Sequence, residues 1–492
     1  MHVDVGSLDG LLTAAAARWP DRPALESPSG RWTYAELDAA VSAAAAGLHA
    51  AGARPGDNVA FALAHDAPLY TAPFACGRAR VAGLLLSTAL PAAAWARQLA
   101  SVRPSLLVAD DAHVGRLQAA ASGAPVQPAR VALPLQADHA RPAEAAPAPD
   151  PDRAVALLAT SGTTGQPTVV RLTSRGLLHV GRAYLDLLDL GPDERSLVVM
   201  PLTHIGALST QTLTMPMVGG CNVLPADRRA RRSLSAMAEQ RITLLDAAPA
   251  WLTVLAGQTP IAVPSWRTLV YGGAPMPAAT VSAVAAAHPA VAMFDVWGLS
   301  EAHGPVTAQR YDRDRPPPAG TVGRPLAGLT VRAGGPAGPL PPEVVGELWV
   351  SGPTVHAGTL DDPDAVPPGG WLPTGDLGAV AVDGTVRLVD RKKAVIVRGG
   401  VNISSREVER VLCSAAGVTE AAVVAVTDGL GEEAVGAAVA VGDGARVSIG
   451  DLRRLVTEQV GRHATPRRIA RVRALPRTAT GKVDVQAVRA LL

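Results

Sequence analysis

Short apolar runs alternate with alanine-rich stretches of helical length along the first 310 residues, and this alternation restricts the fold more than any other feature. Up to about residue 130, runs such as NVAFAL and SLLVAD are set between VSAAAAGLHAAGA and PAAAWARQLASV. From residue 153 the pattern resumes with AVALLAT, SLVVMPL, CNVLPA, ITLLDAAP, TLVYGG and VAMFDVWG. Strands of this kind separated by helices predict parallel sheets built from crossover units, an α/β fold. Between the two blocks, ARPAEAAPAPDPD at 140–152 is too rich in proline to pack as an interior element and predicts a surface connector. Residues 311–389 are rich in Gly and Pro and carry short strands (GELWVSG, GAVAVDG, TVRLVD), which predicts a small β-rich subdomain. The last hundred or so residues suit a separate small α+β domain.

The 492 residues exceed what one core supports, so several domains are expected. A net charge of +2, with charged residues at 18%, supplies no field to recruit nucleic acid or anionic lipid, and a small-molecule partner fits better. Arg78 and Arg80 interrupt the most apolar run, around 71–95, which argues against a membrane span. The start MHVDVGSLDGLL carries acids before its apolar stretch and lacks the basic opening of a secretory signal, so a cytoplasmic location is expected. Cys76, Cys221 and Cys413 are too far apart for a disulfide framework or a metal-ligand spacing.

Lysine is scarce: Lys392, Lys393 and Lys482 stand against 42 arginines. Where arginine is the default cation, a surviving lysine is open to two readings, chance or a need for a compact three-donor ammonium on a flexible stem. The strand AVALL runs into Ala159-Thr160-Ser161-Gly162-Thr163-Thr164-Gly165-Gln166-Pro167, a loop of glycines and hydroxyls. Gly162 and Gly165 let the backbone approach anionic oxygens, so the loop suits polyphosphate; an ordinary flexible turn is the other reading. It is not a Walker loop, because GxxxxGK[ST] is absent.

This string resembles the phosphate loop of the adenylate-forming superfamily, which includes acyl- and aryl-CoA synthetases, adenylation domains of peptide synthetases and beetle luciferases. Further matches follow in order: Trp32-Thr33-Tyr34-Ala35-Glu36-Leu37, Pro201-Leu202-Thr203-His204-Ile205-Gly206, Tyr271-Gly272-Gly273-Ala274-Pro275 and Trp297-Gly298-Leu299-Ser300-Glu301. Gly346-Glu347-Leu348, Gly370 to Leu377, Asp390-Arg391-Lys392-Lys393 and Leu475 to Lys482 complete the series.

The resemblance implies ATP-dependent activation of a carboxylic acid, of aryl or short to medium acyl type, followed by transfer to CoA, with ATP and Mg2+ required. It implies ATP or AMP binding by Thr160, Ser161, Gly162, Thr163, Thr164, Gly165, Gly273, Ala274, Pro275, Trp297, Gly298, Ser300, Asp376 and Arg391. Glu301 would hold magnesium as a hard oxygen ligand, and Asp376 and Arg391 would meet the ribose. Lys482 would offset the repulsion between substrate carboxylate and α-phosphate. His204, Ala207, Leu208, Gly272, Trp297 and His303 would line the acid pocket, although for His204 and His303 a satisfied structural histidine is the alternative. The implied organisation is an N-terminal domain over 1–389, a hinge over 390–393 turning on Lys393, and a mobile C-terminal domain over 394–492. Gly399 and Gly400 would border the acceptor tunnel.

Two departures matter. Where the family's loop continues Pro-Lys-Gly, this chain has Pro167-Thr168-Val169, so Arg171 or Arg175 must supply the phosphate-facing charge or phosphate release is tuned differently. The stretch His204 to Ser209 lacks the Asp by which amino-acid-activating members pair an α-ammonium, which predicts an acid with an uncharged tail. Sequence leaves the acceptor open between CoA, a carrier-protein phosphopantetheine and a non-thiol nucleophile such as an amine or nitrite. A nucleotide-binding protein with impaired catalysis is the reading from another class.

Overall fold

The computed structural model describes residues 2–122, 128–129, 150–160, 168–258, 261–274, 276–355, 358–360, 370–392, 396–398, 401–427, 433–442, 444–445, 447–478 and 481–492. By compactness the chain divides into two units, one of residues 1–330 and 350–372, the other of residues 331–349 and 373–492.

The first unit holds two sheets, and both are mainly parallel, as the alternation predicts. One is ordered Pro128–Ala129, Leu106–Ala109, Asn58–Ala62, Ala82–Leu85, Ala154–Thr160, Thr168–Thr173, antiparallel only in its final pair. The other runs from Thr321–Pro325 and Gly304–Arg310 through Ala292–Leu299, Thr268–Gly272, Leu244–Ala247, Arg195–Val198 and Cys221–Val223 to Pro23–Ser27 and Gly30–Thr33. Its six central strands are parallel. Most of the stretch expected to be a surface connector, residues 140–149, lies outside the described residues, and the two sequence blocks on either side of it do not each form one sheet. Strands near the N-terminus join the second sheet, whereas Ala154–Thr160 and Thr168–Thr173 complete the first.

Local chemistry explains why two motifs fold as they do. Thr33 and Glu36 form a reciprocal capping box at the start of helix Tyr34–Ala50, the Thr33 N–H donating to Glu36 Oε2 at 2.8 Å. The Tyr34 hydroxyl is buried within hydrogen-bonding reach of the Met215 and Gly220 carbonyl oxygens, so that signature anchors a helix rather than a ligand. Residues Ala207–Gln211 form a π-helical turn leading into helix Thr212–Val218. Ser209, Thr210 and Thr214 each turn a hydroxyl back to the carbonyl four residues earlier, the local pattern that bends helices. Among the described residues no helix is long and apolar enough to cross a membrane.

In the second unit, the strands Gly338–Pro339, Thr330–Gly335, Gly346–Ser351, Trp371–Val380 and Val386–Arg391 lie in that order. Strands Val418–Thr427, Glu433–Val441 and Arg468–Val472 form a three-stranded sheet, with helix Ser405–Cys413 against it. The 331–349 and 373–389 strands therefore group with the C-terminal residues; of the expected hinge 390–393, Lys393 falls outside the described residues.

Glu409, on helix Ser405–Cys413, is half-buried and accepts the Val423 N–H at 2.8 Å. Burial first, and the Asp390 carboxylate second, push its carboxyl up to about 7 from an ordinary 4.5. A raised folded value means the native state holds the proton more tightly, so this group's contribution is fully present below about pH 4.5 and is lost as pH rises to about 7. The Tm of Glu409→Gln, which keeps the acceptor without the charge, should gain on wild type across that window and hold the gain above it. A gap in Tm that stays constant from pH 4.5 to 8 would show that Glu409 does not titrate there.

Candidate active site

The C-terminal edge of the second sheet gathers two of the sequence motifs. Thr268–Gly272 and Ala292–Leu299 run parallel with Gly272 opposite Val296, so Gly272-Gly273-Ala274 leaves the sheet beside Trp297-Gly298-Leu299-Ser300-Glu301. Ligands of open α/β sheets bind at this edge. The glycines answer to close backbones. A Cβ on Gly272 would lie 2.1 Å from the Val296 carbonyl oxygen, and one on Gly298 would lie 2.0 Å from that of Gly304. Gly273 meets no such crowding but has φ +79°, the left-handed region. Trp297 is buried, and Glu301 is half-buried on the single turn Ser300–Ala302. Pro275 lies outside the described residues.

Thr160 and Thr168 pair across the hairpin that carries the glycine- and hydroxyl-rich loop. Ser161, Gly162, Thr163, Thr164 and Gly165 lie outside the described residues. The exit strand, Thr168–Thr173, is tied to the Glu301 turn by His303. The Thr173 N–H donates to His303 Nε2 at 3.0 Å, and His303 Nδ1 donates to the Thr354 carbonyl at 2.7 Å, partners that assign the neutral Nδ1–H tautomer. Burial drives this imidazole down to about 4. Its ring fills the space over Gly176, where a Cβ would stand 2.4 Å from a ring carbon. Both nitrogens of His303 are thus spent on main chain, and the ring acts as a brace between the hairpin and the turn.

His204 is half-buried, and its Nδ1 accepts the Gly206 N–H at 3.1 Å, which places the proton of a neutral ring on Nε2. Ala207 and Leu208 follow it, buried in the first turn of the π-helical segment.

In the second unit, Asp376 and Arg391 stand opposite each other on paired strands. Arg391 Nε meets Asp376 Oδ1 at 3.0 Å, and the carboxylate is buried while the guanidinium is exposed. Gly375, at φ +72°, lets the Gly375 carbonyl accept the Lys392 N–H at 2.8 Å. Asp390 turns away from Arg391's side chain and accepts from the Ser405 hydroxyl at 3.2 Å. Lys392 Nζ reaches Glu347 at 2.9 Å. Lys482 is exposed, and its carbonyl accepts the Thr478 N–H at 2.7 Å while Arg477 Nη1 donates to the Gly481 carbonyl at 2.8 Å. The main chain on either side of the tip is fixed, with residues 479–480 outside the description. Lys393, Gly399 and Gly400 are outside it as well.

Of the two arginines considered as replacements for the loop cation, Arg175 is committed to Asp152 through two bonds of 2.6 and 2.8 Å. Arg171 lines a cavity of about 300 Å3 with Arg80, Arg153 and Asn58. Sequence reasoning passed over Asp246, a buried carboxylate on strand Leu244–Ala247. The signal was the acid inside the otherwise apolar run ITLLDAAP.

Comparison with known proteins identifies the family. The AMP-binding enzyme family model matches residues 12–360, and the AMP-binding enzyme C-terminal domain model matches 407–482. Feruloyl-CoA synthase of an Amycolatopsis species is 34% identical over 485 residues, covering 94% of this chain and 96% of its own. Among solved structures, O-succinylbenzoate coenzyme A synthetase from Bacillus subtilis, in complex with ATP and magnesium ion, is 26% identical with a TM-score of 0.86, covering 97% of this chain and 99% of that one. The amide bond synthetase McbA from Marinactinospora thermotolerans is 30% identical, also at 0.86, covering 98% and 99%. With both family models matched and full-length relatives on each side, the chain belongs to the AMP-binding enzymes, the adenylate-forming superfamily.

Proposed function

We propose that the protein activates an aryl or short to medium acyl carboxylic acid with ATP and then transfers the acyl group to the thiol of CoA. The observation that carries this reading is the meeting of Gly272–Ala274 and Trp297–Glu301 at one edge of a parallel sheet, braced by His303 to the hairpin of the hydroxyl-rich loop. In the first step a carboxylate oxygen attacks the α-phosphorus and the bond to the β-phosphate breaks, releasing pyrophosphate. In the second the thiol sulfur attacks the acyl carbonyl, AMP departs with the bonding pair and the thiol proton is lost.

The loop Thr160 to Gly165 would cradle the phosphates, Gly273, Ala274, Pro275, Trp297, Gly298 and Ser300 the adenine, and Asp376 with Arg391 the ribose. Asp376 is suited to this because its partner is an exposed arginine that can share it with a second ligand. Glu301 is a single half-buried carboxylate, which fits magnesium bound by one carboxylate with substrate phosphates and waters. Magnesium held there would neutralise phosphate charge. His204, Ala207, Leu208, Gly272 and Trp297 would enclose the acid. Lys482 would bridge the two anions, Lys393 would be the pivot between half-reactions, and Gly399 and Gly400 would admit the thiol. The proposal retains 1–389 and 394–492 as the parts that rotate, and a cytoplasmic setting, supported by three cysteines that stay free thiols.

Acid-dependent ATP/pyrophosphate exchange across a panel of carboxylic acids, followed by mass spectrometry with CoA, tests both halves. Exchange without acyl-CoA formation would refute the acceptor and keep the adenylation; no exchange with any acid would refute both. Transfer to a nitrogen nucleophile is the second reading, favoured by the amide bond synthetase at 30% identity over nearly the whole chain. The same mass spectrometry with amines in place of CoA, or with a carrier-protein phosphopantetheine, separates the acceptors.

A further inference from the structure

Strand Leu244–Ala247 lies between Arg195–Val198 and Thr268–Gly272 in the second sheet. In register with Asp246 are Val198 on one side and Val270 on the other, both fully buried, and Phe294 stands in register with Val270 one strand further on. Asp246 is therefore a carboxylate in a cross-strand row that is otherwise apolar. It is 5% exposed and sits at the end of the sheet where Gly272 and Trp297 emerge. A valine would fill this place without a buried charge, so the row spends packing on an acid that stability does not ask for.

What surrounds Asp246 is also specific. The Thr210 hydroxyl lies 2.9 Å and the Tyr184 hydroxyl 3.4 Å from its Oδ2. Both contacts end on the same oxygen, and among the described residues no Lys, Arg or His pairs with the carboxylate. Burial raises its carboxyl to about 6. Thr210 belongs to the π-helical turn, and its hydroxyl also reaches the Gly206 carbonyl, so one side chain links Asp246 to the His204–Leu208 stretch. In the same turn and the residue after it, Gln211 Oε1 and Thr212 Oγ1 are buried without a hydrogen-bond partner among the described residues. Gln211 Oε1 is thus an acceptor left without a donor, whereas the Thr212 hydroxyl has both donor and acceptor capacity unused.

We propose that Asp246, with Tyr184 and Thr210, forms the polar end of the acid pocket and determines specificity. The preferred acid then carries a hydrogen-bond donor, a hydroxyl or N–H, on the part remote from its carboxylate. The inference rests on the adenylating function proposed above and sharpens its substrate class. It also revises the uncharged-tail expectation: the acceptor absent from His204 to Ser209 is supplied by a strand some forty residues on.

The test uses the full chain and pairs of aryl acids that share a ring and differ only in a distal hydroxyl or amino group. The readout is the ratio of kcat/KM for pyrophosphate exchange within each pair. Wild type should favour the donor-bearing member by about 10-fold or more, since a site built around a hydrogen bond discriminates strongly against a partner that lacks it. Asp246→Val should collapse the ratio to within about 3-fold of unity, and Asp246→Asn, nearly isosteric and the safer variant for folding, should shift it in the same direction. A role confined to holding the π-helical turn through Thr210 would lower Tm and leave the ratio unchanged. An unchanged ratio in both variants, or a wild type that prefers the donor-free acid, overturns the proposal while exchange itself still upholds adenylation. No exchange with any acid removes the adenylating reading and this one with it.

Discussion

Replacing Lys482 by alanine is expected to lower acid-dependent ATP/pyrophosphate exchange by about 100- to 1,000-fold, the scale on which removal of one charge-stabilising group acts in a transition state. The local structure makes this a test of chemistry and not of folding. Two bonds at the tip end on main-chain acceptors, the Lys482 carbonyl receiving the Thr478 N–H and the Gly481 carbonyl receiving Arg477 Nη1, and alanine keeps both. The side chain is exposed, so its removal opens no cavity. Thioester formation from supplied acyl-adenylate should change by no more than about 3-fold, because the repulsion between carboxylate and α-phosphate is already past. If exchange survives in the variant, the cation that matters lies elsewhere; if both half-reactions fall equally, Lys482 serves the fold of its loop.

Gly298→Ala should be the most damaging conservative change at the sheet edge. Its Cβ would need to occupy a point 2.0 Å from the Gly304 carbonyl oxygen, inside any van der Waals contact, and that oxygen belongs to the strand paired with it. Either Ala292–Leu299 or Gly304–Arg310 must shift, and the shift displaces the Ser300–Ala302 turn that carries Glu301. A loss of more than about 3 kcal/mol of stability and of at least about 100-fold in exchange is expected. Gly273→Ala provides the control: nothing lies within 4 Å of its Cβ, so only the left-handed φ of +79° is penalised, at about 1 kcal/mol. Thermal denaturation and exchange rates of the two variants measured together would decide it. Equal effects would mean that crowding at Gly298 is relieved by relaxation.

Much of this architecture is legible in the sequence because its signals are local. Apolar runs give parallel strands, Thr33 and Glu36 spell a capping box, the glycines at 272 and 298 mark positions where a side chain is excluded, and the glycine at 273 marks a left-handed backbone. What escapes is long-range. The pairing of Pro23–Ser27 with Cys221–Val223, and of Ala154–Thr160 with Ala82–Leu85, is set by tertiary packing to which strand periodicity is blind. His303 shows the same limit: its place beside Glu301 suggests a ligand contact, yet its partners, Thr173 and Thr354, come from 130 residues before and 51 after. The Arg391 guanidinium pairs with Asp376, fifteen residues away across a strand pair, and not with the adjacent Asp390. Asp246 was hidden by averaging, since one acid in an apolar run leaves the run apolar.

The path of the chain between its two compact units bears on how the protein is made. The polypeptide leaves the first unit after Thr330, returns at Val350 and departs again after Leu372. During synthesis, Gly346–Ser351 emerges beside Thr330–Gly335 while its other partner, Trp371–Val380, is still untranslated. Neither unit corresponds to a single uninterrupted stretch, so a protease cut near residue 390 would divide the second of them. It would leave Thr330–Gly335 and Gly346–Ser351 on one piece and the C-terminal three-stranded sheet on the other.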